Sequence, residues 1–336
     1  MTTDISNGAL RTQTEKILYP MALIFSSLVW LLLIGGALSS LFFGGVLDDV
    51  TAIEPCIYPK NGINSEAGWD VVPMEKASSL GVRGDCIDNE LLTIEEMREA
   101  QAQAFLANDS LGSAAIPIFS SMVLFYIFLI LAAIYVSAGI SMAFIRLNGV
   151  RISETQYAAF YQVYKKAAEN LGIGKLPHAY IIHATGELNA FAIKIARRRM
   201  IVFYAELIET LVENNRFDEL RAVAAHELTH VKLKHVNYWI FLMPFMAIPF
   251  LAKMLSRARE YSADRGAMAV CGDKEVVSQA LLKLVTGKMI AKDINIDEYL
   301  AQPKSERGLF TWLARIISTH PPMPHRIAAV RNNRLE

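Results

Sequence analysis

The chain has 336 residues, enough for one or two domains with a sizeable core, and 53% of them are hydrophobic. Lysine plus arginine equals aspartate plus glutamate at 33 each, so the net charge is zero and nothing suggests a nucleic-acid partner. Mean hydropathy is positive, and the excess lies in long charge-free stretches, which point to a lipid bilayer as partner.

In chain order, residues 1–18 form a short N-terminal segment that includes Arg11 and Lys16. No Asp, Glu, Lys or Arg lies between Lys16 and Asp48, which predicts a transmembrane helix over 19–45. The competing reading is a cleaved signal peptide. Its apolar core would run only about 7–15 residues, so a retained anchor is expected. Residues 46–116 form an acidic loop in which Cys56 and Cys86 either join as a disulfide, the expected outcome, or remain two thiols. A second charge-free window between Asp109 and Arg146 predicts another transmembrane helix over 117–145. Arg146 and Arg151 follow it at once, so the positive-inside rule puts the N-terminus and everything after Arg146 in the cytoplasm. The expected location is therefore the inner (cytoplasmic) membrane, in a multi-pass arrangement.

Residues 146–336 read as a separate catalytic domain, mainly α with a small β-sheet. Ser153 can cap a helix running to about Asn170, closed by Gly172 and Gly174. β-like runs follow at Ala179–His183, Leu188–Ile193 and Met200–Tyr204, the last two as a hairpin. Helices are predicted at about Ala205–Glu213 and Phe217–His235. The second has Phe217, Leu220, Val223, Ala224, Leu228 and Val231 at helical spacing. Residues 236–252 are charge-free but short and broken by Pro244 and Pro249, which suits an interfacial or re-entrant segment, with a true span as the minority reading. Further helices are expected at about Arg257–Val270, Lys274–Leu284 and Leu309–Ser318.

The Phe217–His235 helix contains His226-Glu227-Leu228-Thr229-His230. Residues four apart share a helix face, so both imidazoles can reach one zinc ion while Glu227 stands beside it. A catalytic zinc takes a third protein ligand as a rule. Glu260 is the favoured donor and His235 its main competitor. Helical spacing turns His235 away from His230, toward a cap or solvent. Asp264, four residues after Glu260, can hydrogen-bond the free ring nitrogen of one histidine. Near the C-terminus, His320 precedes Pro321-Pro322, which hold it in an extended segment suited to stabilising an oxyanion, with Arg326 anchoring that segment through a carboxylate.

The run HELTH, then EYSAD, then STHPP with a nearby Arg, behind two apolar helices, resembles the membrane zinc metallopeptidases that include HtpX and the CAAX prenyl proteases. That resemblance covers roughly residues 150–330. It implies an α+β zincin-like (gluzincin) catalytic domain with one Zn2+ per chain on His226, His230 and Glu260. Glu227 would be the catalytic base and His320 a second catalytic group, with Asp264 and Arg326 behind the ligands. Asn189, Ala190, Phe191 and Ala192 resemble the family's strand beside the active site, where an extended substrate would pair. The implied activity is hydrolysis of peptide bonds in misfolded or membrane proteins. The alternative is a zinc-binding membrane scaffold or chaperone without turnover. Oligomeric state is not legible.

Overall fold

The computed structural model describes residues 5–43, 58–59, 69–70, 110–183, 186–195, 198–212, 217–237 and 241–332. The expected Cys56–Cys86 pairing falls outside them. The chain divides into two units, residues 1–30 with 130–336, and residues 31–129. In the smaller unit, Tyr58–Pro59 (β1) and Trp69–Asp70 (β2) form a short antiparallel pair.

The first predicted span is a helix, although a longer one. After a single turn at Asn7–Leu10 (α1), capped by the Ser6 hydroxyl, helix α2 runs Gln13–Phe43 and so begins with Glu15 and Lys16 inside it. The second is Ser110–Asn148 (α3). Stretches Gln13–Gly36 and Ser121–Asn148 are long and apolar enough to cross a bilayer, and they expose side chains such as Leu31 at 69% and Phe128 at 65%. Large apolar residues left open over much of a helix suit a lipid-facing surface.

A four-stranded mixed sheet follows, in the order β3-β4-β6-β5. Its strands are Val150–Arg151 (β3), His178–Ile182 (β4), Ala190–Ile195 (β5) and Arg198–Tyr204 (β6). The predicted hairpin is present, β5 and β6 pairing antiparallel with Phe191 opposite Val202, while β4 runs parallel to β6. This leaves β5 at the edge of the sheet. Between β3 and β4 lies Ala158–Asn170 (α4), whose start corrects the expectation for Ser153. Ser153 and Gln156 bond each other's backbone in a turn, and Tyr157 takes a left-handed φ of 56° at the N-cap. The first helical turn therefore comes five residues later than Ser153. Phe160 and Tyr164 of α4 pack edge-on against Phe203 of β6, joining helix to sheet.

Ala205–Leu211 (α5) leads to Asp218–Lys232 (α6), which presses Leu220, Ala224, Leu228 and Val231 into the main core. Beyond α6, the described part of the apolar segment holds only the single turn Met243–Met246 (α7) before Pro249 opens a long helix, Pro249–Cys271 (α8). Leu242, Phe245 and Leu255 bury themselves with Leu18, Tyr19 and Ala22 of α2, and Trp30 donates its indole N–H to the Phe241 carbonyl at 2.9 Å. Lys274–Ala291 (α9) bends at Gly287, whose φ of 72° is outside the helical range. Ile296–Ser305 (α10), Leu309–Ile317 (α11) and Met323–Arg331 (α12) finish the chain. α10 and α12 were not legible in the sequence.

Candidate metal centre

Helix α6 presents His226 and His230 one turn apart, and α8 crosses it so that Glu260 meets both. The crossing is close because α8 has glycine at 266. A Cβ there would lie 1.9 Å from Thr229 Oγ1 and 2.7 Å from Thr229 Cβ, so only glycine lets the two helices approach this far. The Nε2 atoms of His226 and His230 are 3.2 Å apart. Glu260 Oε2 stands 3.5 Å from the first and Oε1 3.6 Å from the second. Two donors on one tetrahedral zinc, at about 2.0–2.2 Å each, lie roughly 3.3–3.6 Å apart, so this donor set fits the ion expected from the sequence. Among the described residues it is the one group of three such side chains close enough to share a metal, with donor atoms within 4.8 Å of one another.

The outward-facing nitrogens are also held. His226 Nδ1 is 2.9 Å from Asp264 Oδ1. Arg326 grips that carboxylate with two charge-assisted bonds, Nε to Oδ2 at 2.8 Å and Nη2 to Oδ1 at 2.6 Å, and reaches Glu260 Oε2 at 3.3 Å. His230 Nδ1 faces His235 Nδ1 at 2.8 Å.

His235 corrects the sequence reading in its surroundings, since a cap or a solvent-facing ring was expected of it. It neither joins the donor cluster nor reaches solvent, being buried with its Nε2 bonded to Glu15 Oε1 at 2.9 Å. The spacing argument assumed an unbroken helix. In fact α6 ends at Lys232, and Lys234 turns left-handed (φ 62°), swinging His235 back under His230. Glu15 was missed altogether, although a carboxylate at the head of a charge-free helix is a signal, since such groups are costly near lipid without a partner.

Burial and neighbouring charge set the metal-free titration. Burial alone would lower His226, but hydrogen bonds with Asp264 and Glu260 outweigh it and hold the imidazolium up to about 10. His230 is driven well below the usual histidine range by burial, against the pull of Glu260. Despite their own burial, Glu260 is kept ionised by His226, Arg326 and His230, and Asp264 by Arg326 and His226. Glu227 goes the other way. Burial, helped by Glu260, pushes its carboxyl up to about 7, against the pull of His226, Arg326 and a backbone hydrogen bond from Ala192.

These groups line a cleft of about 420 Å³, bordered by Asn189, Ala190, Phe191 and Ala192 on the β5 side and by His320 on the other. His320 is 64% exposed, with Nε2 3.6 Å from Glu260 Oε1. Its segment is tied at both ends. Arg326 holds the following helix through Asp264, and Arg257 donates to the carbonyls of Ile316 and Ser318, both at 2.9 Å. The Arg257 tie was not anticipated.

Comparison with known proteins gives a consistent family. The profile of "Peptidase family M48" matches residues 154–255 and 240–334, together more than half of the chain. The plastoglobule-localized metallopeptidase 48 of Arabidopsis thaliana chloroplasts is 31% identical over 176 residues, 47% of this chain and 49% of that protein. A protease HtpX homolog of Helicobacter pylori is 27% identical over 51% of this chain and 66% of its own length, and one from Ralstonia nicotianae is 26% identical over 54% and 76%. The chain thus spans about half the length of the first of these relatives and just under two thirds of the second. Among solved structures, the crystal structure of S. mikatae Ste24p aligns with 70% of this chain and 66% of that one, at a TM-score of 0.43 and 18% identity.

Proposed function

The chain belongs to peptidase family M48, and from that premise we propose that it is a membrane-bound, zinc-dependent endopeptidase that cuts misfolded or membrane proteins at the cytoplasmic face of the inner membrane. The observation that carries this reading is the meeting of three donor side chains, His226, His230 and Glu260, beside a buried Glu227 and the edge strand β5.

Zinc held by those three residues would supply Lewis-acid polarisation of the scissile carbonyl and a lowered pKa for the attacking water. Glu227 takes the water's proton as it attacks and returns it to the leaving amine. His320 lies on the open rim of the cleft, where its imidazole hydrogen-bonds the oxyanion that forms on the substrate. The peptide extends along Asn189, Ala190, Phe191 and Ala192 and adds itself to the edge of β5 through backbone bonds, which selects extended conformation more than sequence. Asp264, fixed by Arg326, keeps the His226 ring in one orientation.

The lipid partner is supported by the open apolar faces of α2 and α3, and by α11, where Leu309, Phe310 and Trp312 are 69%, 83% and 56% exposed. Residues 236–252 would then rest at the inner leaflet, and the basic residues after α3 would keep the catalytic part in the cytoplasm. The test is digestion of a denatured protein by the purified full chain in detergent. Stripping zinc with a chelator should abolish cleavage and one equivalent of zinc should restore it. Digestion that survives complete metal removal would reject the proposal.

A further inference from the structure

The two metal-ligating histidines are supported from different parts of the chain. His226 leans on Asp264 and Arg326, both inside the segment that matches the peptidase family. His230 leans on residues that are not all within it. Its Nδ1 meets His235, and His235 meets Glu15, which lies far upstream of residue 154, where the family match begins. We propose that Glu15, acting through His235, is a positioning residue for the metal ligand His230, so that the first turn of the first membrane helix is a working part of the metal centre. This rests on the assignment of His230 as a ligand.

Proton bookkeeping gives the chain of bonds one direction. Glu15 is a carboxylate and can only accept, so His235 must present Nε2–H to it at 2.9 Å. When the His235 ring is neutral it has a lone pair at Nδ1, which accepts the Nδ1–H of His230 at 2.8 Å. That leaves the lone pair of His230 at Nε2, the atom that faces His226 Nε2 and Glu260. Tautomer and ring angle of the ligand are therefore both set from Glu15.

Glu15 is itself held firmly enough to set them. Its side chain has no exposure. Ser262 Oγ donates to Oε2 at 2.5 Å and Arg11 Nε lies 3.3 Å from Oε1. The surrounding backbone is fastened as well. Thr12 N–H donates to Ser262 Oγ at 3.0 Å, Arg11 donates to the Leu233 carbonyl at 3.2 Å, and Arg265 donates to the carbonyls of Ala9 and Arg11 at 3.2 and 3.3 Å. Ser262 and Arg265 stand on α8, the helix that also carries Glu260. The N-terminal segment thus touches both helices that hold the donors. Docking alone would account for Arg11, Thr12 and Arg265. It gives no reason for a buried carboxylate and imidazole to be strung in line with a ligand nitrogen.

The experiment measures zinc affinity of the full chain in detergent by competition with a chromophoric chelator, together with the melting temperature of the metal-free protein. His235→Phe keeps the ring volume without an acceptor, and Glu15→Met keeps side-chain length without one. Each should weaken zinc binding about 10–100-fold, the usual effect of losing a partner behind a ligand. His235→Gln, whose amide can accept from His230 and donate to Glu15, should recover most of the loss. The Glu15→Met/His235→Phe double variant should bind zinc no worse than His235→Phe alone, because Glu15 acts through that ring. In cobalt-substituted protein the ligand-field bands should shift in both single variants. Wild-type zinc affinity and an unshifted cobalt spectrum in both, with only a lower metal-free melting temperature, would reduce the pair to a docking contact and overturn the proposal. Additive losses in the double variant would do the same. His226→Ala separates the two levels: if it abolishes zinc binding while Glu15→Met does not, the relay alone fails. If His226→Ala binds zinc as well as the wild type, the metal centre fails and the relay with it.

Discussion

Gly266→Ala is the mildest substitution that should damage the metal centre. The added Cβ would fall 1.9 Å from Thr229 Oγ1 and 2.7 Å from both Thr229 Cβ and Cγ2. Rotating the threonine removes the first contact but not the one to its Cβ, so the helices themselves must separate by several tenths of an ångström. Overpacking of this kind costs about 1–3 kcal/mol. For a domain of this size that is roughly 2–4 °C of melting temperature per kcal/mol. The same movement carries Glu260 away from His226 and His230, whose donor separations of 3.2–3.6 Å leave little slack for a metal that tolerates about ±0.2 Å. Gly266→Ala should therefore lower both the thermal transition and zinc affinity. Thr229→Ala in the same chain should restore part of each, because it removes Oγ1 and Cγ2 and leaves only the Cβ contact. Differential scanning fluorimetry and chelator competition read the two effects. A Gly266→Ala protein with wild-type melting and wild-type zinc affinity would show that the α6–α8 crossing is not set by that glycine.

Other expectations follow from the same geometry. Asp264→Asn should weaken zinc about 10–100-fold by loosening His226. It should also lower stability by about 3–5 kcal/mol, because Arg326 would lose its main buried counter-charge, as seen in denaturant titration. Zinc uptake by the metal-free protein at pH 8 should release at least one proton, since His226, held up to about 10 by Asp264 and Glu260, must give one up while His230 and Glu260 need not. Binding enthalpies in buffers of different ionisation heat would show it, and the release should fade as pH rises past 10. Arg257→Met should free the segment bearing His320 and reduce turnover several-fold without loss of zinc, so a metal-depleted Arg257→Met protein would count against that role.

Much of the site was legible because its chemistry is local. His226, Glu227 and His230 are fixed by one helix, and Glu260 with Asp264 by a second, so helical spacing alone predicts which side chains share a face. The hairpin of β5 and β6 was legible from two β-like runs, Leu188–Ile193 and Met200–Tyr204, set close together in the chain. What escaped depends on breaks in regularity or on long-range contact. Ser153 looked like a cap, but its pairing with Gln156 and the left-handed Tyr157 delay the helix. His235 looked turned away because the left-handed Lys234 could not be foreseen from spacing. Glu15 meets His235 from 220 positions away. Gly266 carries no signal in the sequence, and only the crossing shows what it admits. Arg257 reads as a solvated charge until the backbone of Ile316 and Ser318 arrives beside it.

The proposed chemistry is hydrolysis of peptide bonds with Glu227 as base at a metal held by His226, His230 and Glu260. The most direct measurement is cleavage of a denatured protein by the Glu227→Gln variant, with zinc content determined on the same preparation. The expected result is one zinc per chain, as in the wild type, and loss of cleavage by several orders of magnitude. Undiminished cleavage by a zinc-replete Glu227→Gln protein would contradict it.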